Sequence, residues 1–340
     1  MTPIFIRKRE EIWQKLSIFF KKNVFPPQEL LLEVFNFQFT YNEVYQQFCR
    51  QIGKTPDKIK VVTEIPFLPI SAFKHHLVKT GQFSEEEIFF SSGTTLTRQS
   101  RHAVRSTQLY LENCRRIWQH EFGPVSQYCF LALLPGYLER QGSSLIAMAD
   151  DFIRHSSFPQ SGFYLRNHDE LELQLIECRE KNIPTVLIGV SYALLDFTDK
   201  YTVNFPGLIL METGGMKGQR EEMTKVALHE TIKQSFSVTE VYSEYGMTEL
   251  LSQAYSKGRQ LFSCHSSMKV SITEMNDPFA SEKPGKSGIV NITDLANIDS
   301  CCFIQTEDVG RMHHTNNFEI IGRLDIADLR GCNLLIDELE

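Results

Sequence analysis

Two short segments carry side chains that together could hold a nucleotide. Residues 91–95 read SSGTT, and residues 245–249 read YGMTE. In the first, backbone N–H groups and hydroxyl donors can converge on phosphate oxygens, because small residues and a glycine leave the loop open to a ligand. In the second, a hydroxyl lies beside a carboxylate, as a Mg-nucleotide site requires. The pair of segments predicts ATP-dependent activation of a carboxylate.

The loop at 91–97 also has a purely structural interpretation. A run of serines, threonines and glycine between a strand and a helix can be a turn that ends in a helix N-cap. The segment lacks the GxxxxGK[ST] spacing, which argues against a Walker-type NTPase. Arg98 and Arg101 follow closely and could add positive charge beside a phosphate.

The elements that would position these segments alternate between strands and helices. Before residue 253 the apolar patterns predict strands at 87–90, 128–134, 185–190, 208–211 and 239–243, and helices at 5–20, 41–52, 106–122, 143–154, 168–181 and 219–236. Such alternation favours a sheet with parallel portions covered by helices. After residue 252 strands and turns dominate, with strands at 268–274, 288–293, 301–305 and 318–321. We therefore predict a helical lead-in at 1–85 packed on the core, an α/β core for ATP and an acyl group at 86–252, and a β-rich subdomain at 253–340.

Composition and charge exclude several other classes. The 340 residues are 42% hydrophobic and 23% charged, with a formal net charge of -7, which gives no general attraction to nucleic acid. No segment approaches the ~20 apolar residues of a membrane span. The eight cysteines include no CxxC pair, so reduced thiols in a cytoplasm are expected rather than a disulfide framework.

Further motifs carry a resemblance to a known family. FSSGTT at 90–95, YGMTE at 245–249, TED at 306–308 and GRLD at 322–325 occur in the order of the core motifs of the adenylate-forming (ANL) superfamily, which includes acyl-CoA synthetases, luciferases and phenylacetate-CoA ligases. The details most resemble the LuxE-type acyl-protein synthetases (long-chain-fatty-acid:protein ligases). They are LPGYLER at 134–140, ETGGMKG at 212–218 and LRGCN at 329–333. The resemblance extends from about residue 60 to the end. It implies the large-domain fold of adenylate-forming enzymes, with mixed sheets flanked by helices, a β-rich subdomain, and a mobile C-terminal domain that is missing or truncated.

The resemblance assigns roles to particular residues. It implies that Thr248 and Glu249 engage the α-phosphate and Mg2+, with Glu249 as the metal ligand, that Asp308 accepts hydrogen bonds from the ribose, and that Arg323 lies near ribose and phosphate. The residues implied to bind ATP are Ser91, Ser92, Gly93, Thr94, Thr95, Gly214, Gly215, Tyr245, Gly246, Asp308 and Arg323. Taken singly, Asp308 and Arg323 are also ordinary turn or surface residues, and Gly214-Gly215 could be a strand-ending turn.

The sequence departs from the family pattern in its cations. The usual glycine and lysine after the phosphate loop are replaced by Leu96-Thr97-Arg98-Gln99. The chain also ends at Glu340, where typical members add a C-terminal domain that brings a catalytic lysine. Lys217 or Lys269 could contribute a cation instead. Because a CoA ligase uses that domain for thiol transfer, its absence argues against a conventional CoA ligase.

Cys332 is the candidate acyl acceptor. LuxE-type proteins carry the acyl group on a cysteine near their own C-terminus, and a thiolate attacking an acyl-adenylate would give a thioester and AMP. Arg323 and Arg330 nearby could lower the pKa of that thiol. The alternative is a small buried cysteine in a turn, and Cys301-Cys302 is a second pair that more readily fits packing on an apolar strand.

The expected function follows from these assignments. We expect fatty acid activation with ATP and Mg2+, transfer of the acyl group to Cys332, and delivery to an acyl reductase or acyl-carrier protein partner. Two alternatives stay open. One is an acid-thiol ligase similar to phenylacetate-CoA ligases. The other is a non-catalytic docking subunit of an acyltransferase complex, suggested by the altered loop and the missing lysine.

Overall fold

The computed structural model describes residues 3–92, 98–135, 142–214, 220, 223–313 and 317–324. Its helices are α1 (Pro3–Lys22), α2 (Gln28–Tyr41), α3 (Glu43–Gln51), α4 (Ala72–His75), α5 (Thr107–Phe122), α6 (Ser144–His155), α7 (His168–Glu180), α8 (Ser191–Thr198) and α9 (Lys225–Phe236). Its strands are β1 (Leu68–Pro69), β2 (Glu87–Phe90), β3 (Arg101–Val104), β4 (Cys129–Leu133), β5 (Gly162–Phe163), β6 (Thr185–Val190), β7 (Ile209–Thr213), β8 (Tyr242–Tyr245), β9 (Ala254–Ser256), β10 (Phe262–Cys264), β11 (Met268–Thr273), β12 (Ser287–Asp294), β13 (Phe303–Met312) and β14 (Phe318–Arg323).

Most predicted elements are confirmed, with exceptions. The prediction missed α2, although its sequence QELLLEVFNFQFTY carries a polar face at helical spacing, formed by Glu29, Glu33, Asn36 and Thr40. The predicted helix at 41–52 is confirmed as α3, which begins after Asn42, whose side chain accepts a hydrogen bond from the N–H of Tyr45 at 3.0 Å and caps the helix. Helix α9 begins later than predicted, because Thr224 caps it through the N–H of Ala227.

Two compact units make up the chain, and each combines separate stretches of sequence. One unit comprises Met1–Asn113, Met247–Gln253 and Ser263–Glu340, and the other comprises Cys114–Gly246 and Ala254–Phe262. The three-part division predicted from the sequence stays a prediction. Its proposed truncated tail falls on residues 325–340, which lie outside the described residues.

The unit built on residues 114–246 contains the predicted parallel sheet. Its strands follow the order β9-β8-β7-β6-β4-β5, with parallel pairing throughout except at β9, which is antiparallel to β8. Strands β4 and β6 are buried along their whole length, as expected for a sheet covered on both faces. Helix α6 packs on β4, and α8 packs on β6 and β7. The carboxyl ends of β6, β7 and β8 therefore meet at one edge of the sheet.

The unit built on the N- and C-terminal parts of the chain contains an antiparallel sheet in the order β11-β12-β13-β14. Strand β1 adds to β13 in parallel, and β2 pairs with β3 as a separate hairpin. The side chain of Gln38 on α2 fixes this helix to the sheet region, since its amide donates to the carbonyl of Ser300 and its oxygen accepts from the N–H of Cys302. The predicted β-rich character after residue 252 is confirmed for these strands.

The predicted fold class is confirmed as α/β, with sheets flanked by helices. No described helix is both long and apolar enough to cross a membrane. The cysteines that the structure describes are free thiols, and all but Cys264 are buried.

Candidate active site

The base of the serine-rich loop is held by a hairpin. Strands β2 and β3 pair up to Phe90 and Arg101, and beyond them Ser91 and Ser100 continue the pairing. The N–H of Ser91 donates to the carbonyl of Ser100 at 3.2 Å, and the N–H of Ser100 donates to the hydroxyl of Ser91 at 2.9 Å. The hydroxyl of Ser91 thus closes the loop before residues 93–97, which lie outside the described residues together with the predicted ligands Gly93, Thr94 and Thr95.

The Thr-Glu pair lies directly against this loop base. The side chain of Ser100 lies near the carboxyl group of Glu249 and favours its charged form. Glu249 is only 6% exposed, and burial raises the pKa of its carboxyl group, against the opposing effects of the Ser100 hydrogen bond and of the positive charges of Arg323 and Lys74. The structure therefore brings the loop base, one carboxylate and two cations together within one unit.

Buried side chains hold the backbone of the same turn. The Nδ1 of His102 lies 2.7 Å from the carbonyl oxygen of Thr248, and the side-chain amide of Asn297 donates to the carbonyl oxygen of Glu249 at 2.8 Å. Because a carbonyl oxygen only accepts, the His102 proton is assigned to Nδ1. Both carbonyls are thus fixed, which restrains the two side chains that the sequence analysis singled out.

Asp294 anchors the next residues of the turn. Its carboxylate accepts hydrogen bonds from the N–H of Leu251 at 2.7 Å, the N–H of Ser252 at 3.0 Å, the hydroxyl of Ser252 at 2.6 Å and the N–H of Ala296 at 3.1 Å. Burial raises the pKa of Asp294 to about 6, although every one of these hydrogen bonds favours the charged form. Sequence reasoning missed both His102 and Asp294, because each lies far along the chain from the turn that it holds.

Arg323 and Asp308 face each other on neighbouring strands. They are direct partners in the antiparallel pairing of β13 and β14, so their side chains project from the same face of the sheet. The guanidinium of Arg323 pairs with Glu307 at 3.0 Å, and the ammonium of Lys74 lies 3.5 Å from the same carboxylate. Register thus places the predicted ribose acceptor beside the predicted phosphate cation.

Lys74 is a cation that the sequence analysis missed. It lies on α4, after β1, and its charge acts on Glu249 as well as on Glu307. The sequence analysis named Lys217 and Lys269 for such a role. Lys217 lies outside the described residues, and Lys269 instead lies over the ring of Phe25, with 5.5 Å between its ammonium and the ring centroid.

The remaining predicted nucleotide contacts lie in the parallel-sheet unit. Gly214 follows β7, and Tyr245 and Gly246 come at the end of β8, so the three lie at the carboxyl edge of neighbouring parallel strands. Gly214 has a φ of 70°, a left-handed conformation that favours glycine, and its carbonyl accepts from the hydroxyl of Ser191 at 3.0 Å. Gly215 lies outside the described residues.

Two buried carboxylates support that edge. Glu212 is 1% exposed and pairs with Lys225 at 3.2 Å, while the hydroxyl of Ser191 donates to its other oxygen. One strand over, the hydroxyl of Thr213 donates to Glu244. These bonds satisfy charged groups that would otherwise be costly to bury.

The adjacent pair Cys301-Cys302 gives no acyl acceptor. Cys301 and Cys302 are completely buried, and burial raises the pKa of Cys301 to about 12, so its thiol stays protonated at neutral pH. The packing interpretation of this pair is confirmed. Cys332 lies outside the described residues, and its acylation stays a prediction.

Glu249 could take part in holding a Mg-nucleotide. No cluster of three or more His, Cys, Asp or Glu side chains with metal-binding geometry occurs among them. Mg2+ commonly binds through one or two carboxylates together with the phosphates of a nucleotide. Glu249 supplies such a carboxylate beside the phosphate-loop base, so a metal held jointly by Glu249 and a bound nucleotide fits these residues.

Solved structures with a similar fold include a 2-hydroxyisobutyryl-CoA ligase and MatB. The chain superimposes on a 2-hydroxyisobutyryl-CoA ligase in complex with 2-HIB-AMP and CoA, with a TM-score of 0.65, 14% identity, and coverage of 88% of this chain and 70% of that one. A structure of the same ligase in its thioesterification state gives a TM-score of 0.61 at 13% identity, and the match covers 88% of this chain and 68% of the ligase. ATP-bound MatB from Rhodopseudomonas palustris gives a TM-score of 0.53 at 14% identity, and the match covers 69% of this chain and 47% of MatB.

These likenesses define the class of fold. The chain has the α/β fold of these ligases and spans about half the length of the MatB structure. No family model and no curated protein matches the sequence.

The buried His102 gives a testable dependence of stability on pH. Burial lowers the pKa of His102 to about 4, from about 6.5 in the unfolded chain. Between pH 6.5 and pH 4 the unfolded chain binds more protons at His102 than the folded chain does. The contribution of neutral His102 to the free energy of unfolding is therefore complete above pH 6.5 and is lost as the pH falls through 4. We expect His102→Asn, which keeps a donor near Thr248, to reduce the loss of unfolding free energy from pH 6.5 to 4 by about 3 kcal/mol.

Urea denaturation of wild type and variant at both pH values checks this expectation. His75→Asn, at an exposed position on α4, is the matched control and should keep the wild-type pH dependence. An unchanged slope in His102→Asn would contradict the buried neutral imidazole.

Proposed function

We propose that this chain activates a carboxylic acid with ATP. The carboxylate attacks the α-phosphorus, pyrophosphate leaves, and an acyl-adenylate forms. The observation that carries the proposal is the contact of Ser100, at the base of the serine-rich loop, with Glu249, which lies within reach of the charges of Lys74 and Arg323. Donors, a carboxylate and cations at one place are what a polyphosphate and its metal require.

The cations support the first step in particular. Charge builds on the pyrophosphate as it leaves, and positive groups placed before the reaction stabilise it without rearrangement. Arg323 and Lys74 share one counter-ion, Glu307, so a bound nucleotide could take up part of their charge. Mg2+ held by Glu249 and the phosphates would offset further negative charge on the nucleotide.

ATP–pyrophosphate exchange over a panel of short-chain, long-chain and aromatic acids tests the proposal. We expect exchange that depends on the added acid and is fastest with a long-chain fatty acid, as the resemblance to acyl-protein synthetases implies. If no acid supports exchange, the chain does not activate carboxylates, and the docking-subunit alternative gains support.

The second proposed step is transfer of the acyl group to Cys332. The thiolate attacks the carbonyl carbon of the acyl-adenylate, AMP leaves with the electron pair of the broken bond, and a thioester remains. From there the acyl group would pass to a partner such as an acyl reductase or an acyl-carrier protein. The support for this step is the resemblance of LRGCN at 329–333 to the acylated segment of LuxE-type proteins.

Mass spectrometry after incubation with ATP and the preferred acid checks the transfer. We expect an acyl mass on the peptide that contains Cys332, its removal by neutral hydroxylamine, and its absence from Cys332→Ser. Cys264→Ser is the matched control, since Cys264 is the one described cysteine that is partly exposed, and it should keep the modification.

The acid-thiol ligase alternative is favoured by the likeness to the 2-hydroxyisobutyryl-CoA ligase, which covers 88% of this chain. Its distinguishing outcome is acyl-CoA formation on addition of CoA while Cys332 stays unmodified. That result would overturn transfer to Cys332 and leave the activation step intact.

A further inference from the structure

A cavity lies in the unit that holds the antiparallel sheet, apart from the candidate active site. It has a volume of about 400 Å3 and lies between one face of β11, β12 and β13 and the segments 25–31, 62–67 and 278–281. This volume is within the range of small-molecule sites in proteins. None of its lining residues belongs to the candidate active site.

Polarity changes from one side of the cavity floor to the other. Lys269 on β11 is the direct partner of Thr293 on β12, which is in turn the partner of Phe303 on β13. These three side chains project from one face of the sheet, in the order cation, hydroxyl, ring. Since neighbouring strands lie about 4.8 Å apart, the row spans about 10 Å.

Two lysines supply the cationic side of the cavity, and the charge of one of them, Lys54, also acts on the carboxylate of Glu64. The ammonium of Lys269 lies over the ring of Phe25, and the ammonium of Lys54 lies over the ring of Phe279, each 5.5 Å from the centroid. Within the described part of the chain, neither lysine forms a salt bridge. The aromatic rings hold both cations at the wall and leave them available to an anion.

Glu64 is the one acidic residue among those lining the cavity. Its carboxylate already accepts hydrogen bonds from the N–H groups of Lys60 at 2.9 Å and Val61 at 3.3 Å. It therefore serves the local backbone, while the two lysines supply the net charge of the cavity.

Hydroxyl groups on the floor also lack partners. Thr293 is only 8% exposed, yet neither its hydroxyl nor that of Ser271 makes a hydrogen bond to another described residue. Neither hydroxyl oxygen is among the buried side-chain atoms without a partner, so each can bond to water in the open cavity or to an oxygen atom of a ligand. These donors lie beside Lys269 on the same face of the sheet.

The opposite side is apolar and well ordered by packing. The rings of Phe67 and Phe303 meet edge to face at a centroid distance of 6.2 Å, and the buried side chains of Leu31 and Ile65 complete this wall. A hydrocarbon or aromatic body would remove apolar surface from water there.

We propose that this cavity binds a carboxylate anion with an apolar body about 10 Å long, a length set by the strand spacing across the floor. The carboxylate of this ligand lies beside Lys269 and accepts a hydrogen bond from the hydroxyl of Thr293. Its apolar body lies on the rings of Phe67 and Phe303. This site is independent of the proposed nucleotide site, because it needs neither ATP nor the Ser100–Glu249 contact.

Calorimetric titration of the full chain with octanoate, in the absence of ATP, tests the proposal. We expect one octanoate per chain, about tenfold weaker binding by Lys269→Gln because a charge-assisted bond is lost, and no binding by Ser271→Phe, which fills the cavity from its floor. Lys283→Gln removes an exposed lysine outside the cavity and should bind like the wild type.

Two further titrations separate this cavity from the nucleotide site and from nonspecific apolar binding. Glu249→Gln should bind octanoate like the wild type, so failure of the proposed activation chemistry would leave the cavity result unaffected. Octylamine, with the same body and the opposite charge, should not bind. Equal binding of octylamine, or undiminished octanoate binding by both Lys269→Gln and Ser271→Phe, would overturn the proposal, as would no binding of octanoate by the wild type.

Discussion

Replacing Glu249 by glutamine should lower acid-dependent ATP–pyrophosphate exchange by at least about a hundredfold, the usual scale for losing a group that stabilises transition-state charge. Glutamine keeps the size of the side chain and can still accept a hydrogen bond from Ser100, so the turn should keep its structure. The substitution removes the negative charge, and an amide is a poor replacement for a carboxylate as a ligand of Mg2+. The loss should therefore appear in catalysis and not in folding.

The matched control is Glu121→Gln. Glu121 is also nearly buried, with a side chain 10% exposed, but it pairs with Lys257 in the parallel-sheet unit. Its replacement removes one partly buried negative charge that is not near Ser100, and exchange should stay within about threefold of wild type, because a partly exposed ion pair contributes little. Wild-type exchange by Glu249→Gln, with the metal present, would remove Glu249 from the proposed chemistry.

Replacing Asp294 by alanine should lower the free energy of unfolding by about 3–5 kcal/mol, because three backbone donors and one hydroxyl lose a buried acceptor together. The affected groups are the N–H groups of Leu251, Ser252 and Ala296 and the hydroxyl of Ser252. Since the same turn begins with Thr248 and Glu249, exchange activity should fall as well. Urea denaturation measures the first effect, and amide hydrogen exchange of segment 247–253 shows whether the loss is local.

Asp277→Ala is the control for this substitution. Asp277 also accepts from a backbone N–H, that of Phe279 at 2.9 Å, but it lies in an exposed turn where water can replace it. Asp277→Ala should lower the free energy of unfolding by less than about 1 kcal/mol. If Asp294→Ala unfolds no more easily than Asp277→Ala, and segment 247–253 stays protected, then Asp294 does not anchor the turn.

The local elements were largely predictable because their signals are local. Strands β4 and β6 read as short apolar runs between turn residues, and α7 begins with an acidic first turn. Helix α2 was missed although Glu29, Glu33, Asn36 and Thr40 form a polar face at helical spacing, so its local signal was present in the sequence.

The candidate site was predictable only in part. The motifs identified Glu249, Asp308 and Arg323 by residue type. No sequence signal marks the side chains that fix the turn, His102 and Asp294, or the one that adds a positive charge, Lys74. His102 lies 146 residues from Thr248 and Asp294 lies 43 from Leu251, so their roles depend on contacts that chain order does not reveal.

By itself the sequence determined the α/β alternation, the β-rich character after residue 252, and the residue types available for a nucleotide. Only the tertiary structure decided that Ser100 meets Glu249, that Asp308 faces Arg323, and that Lys269, Thr293 and Phe303 form one row across a cavity. The physical reason is that strand propensity and turn chemistry act over a few residues. Strand register and the burial of polar side chains are instead settled by pairing between distant segments, where a shift of one residue would turn every side chain to the opposite face.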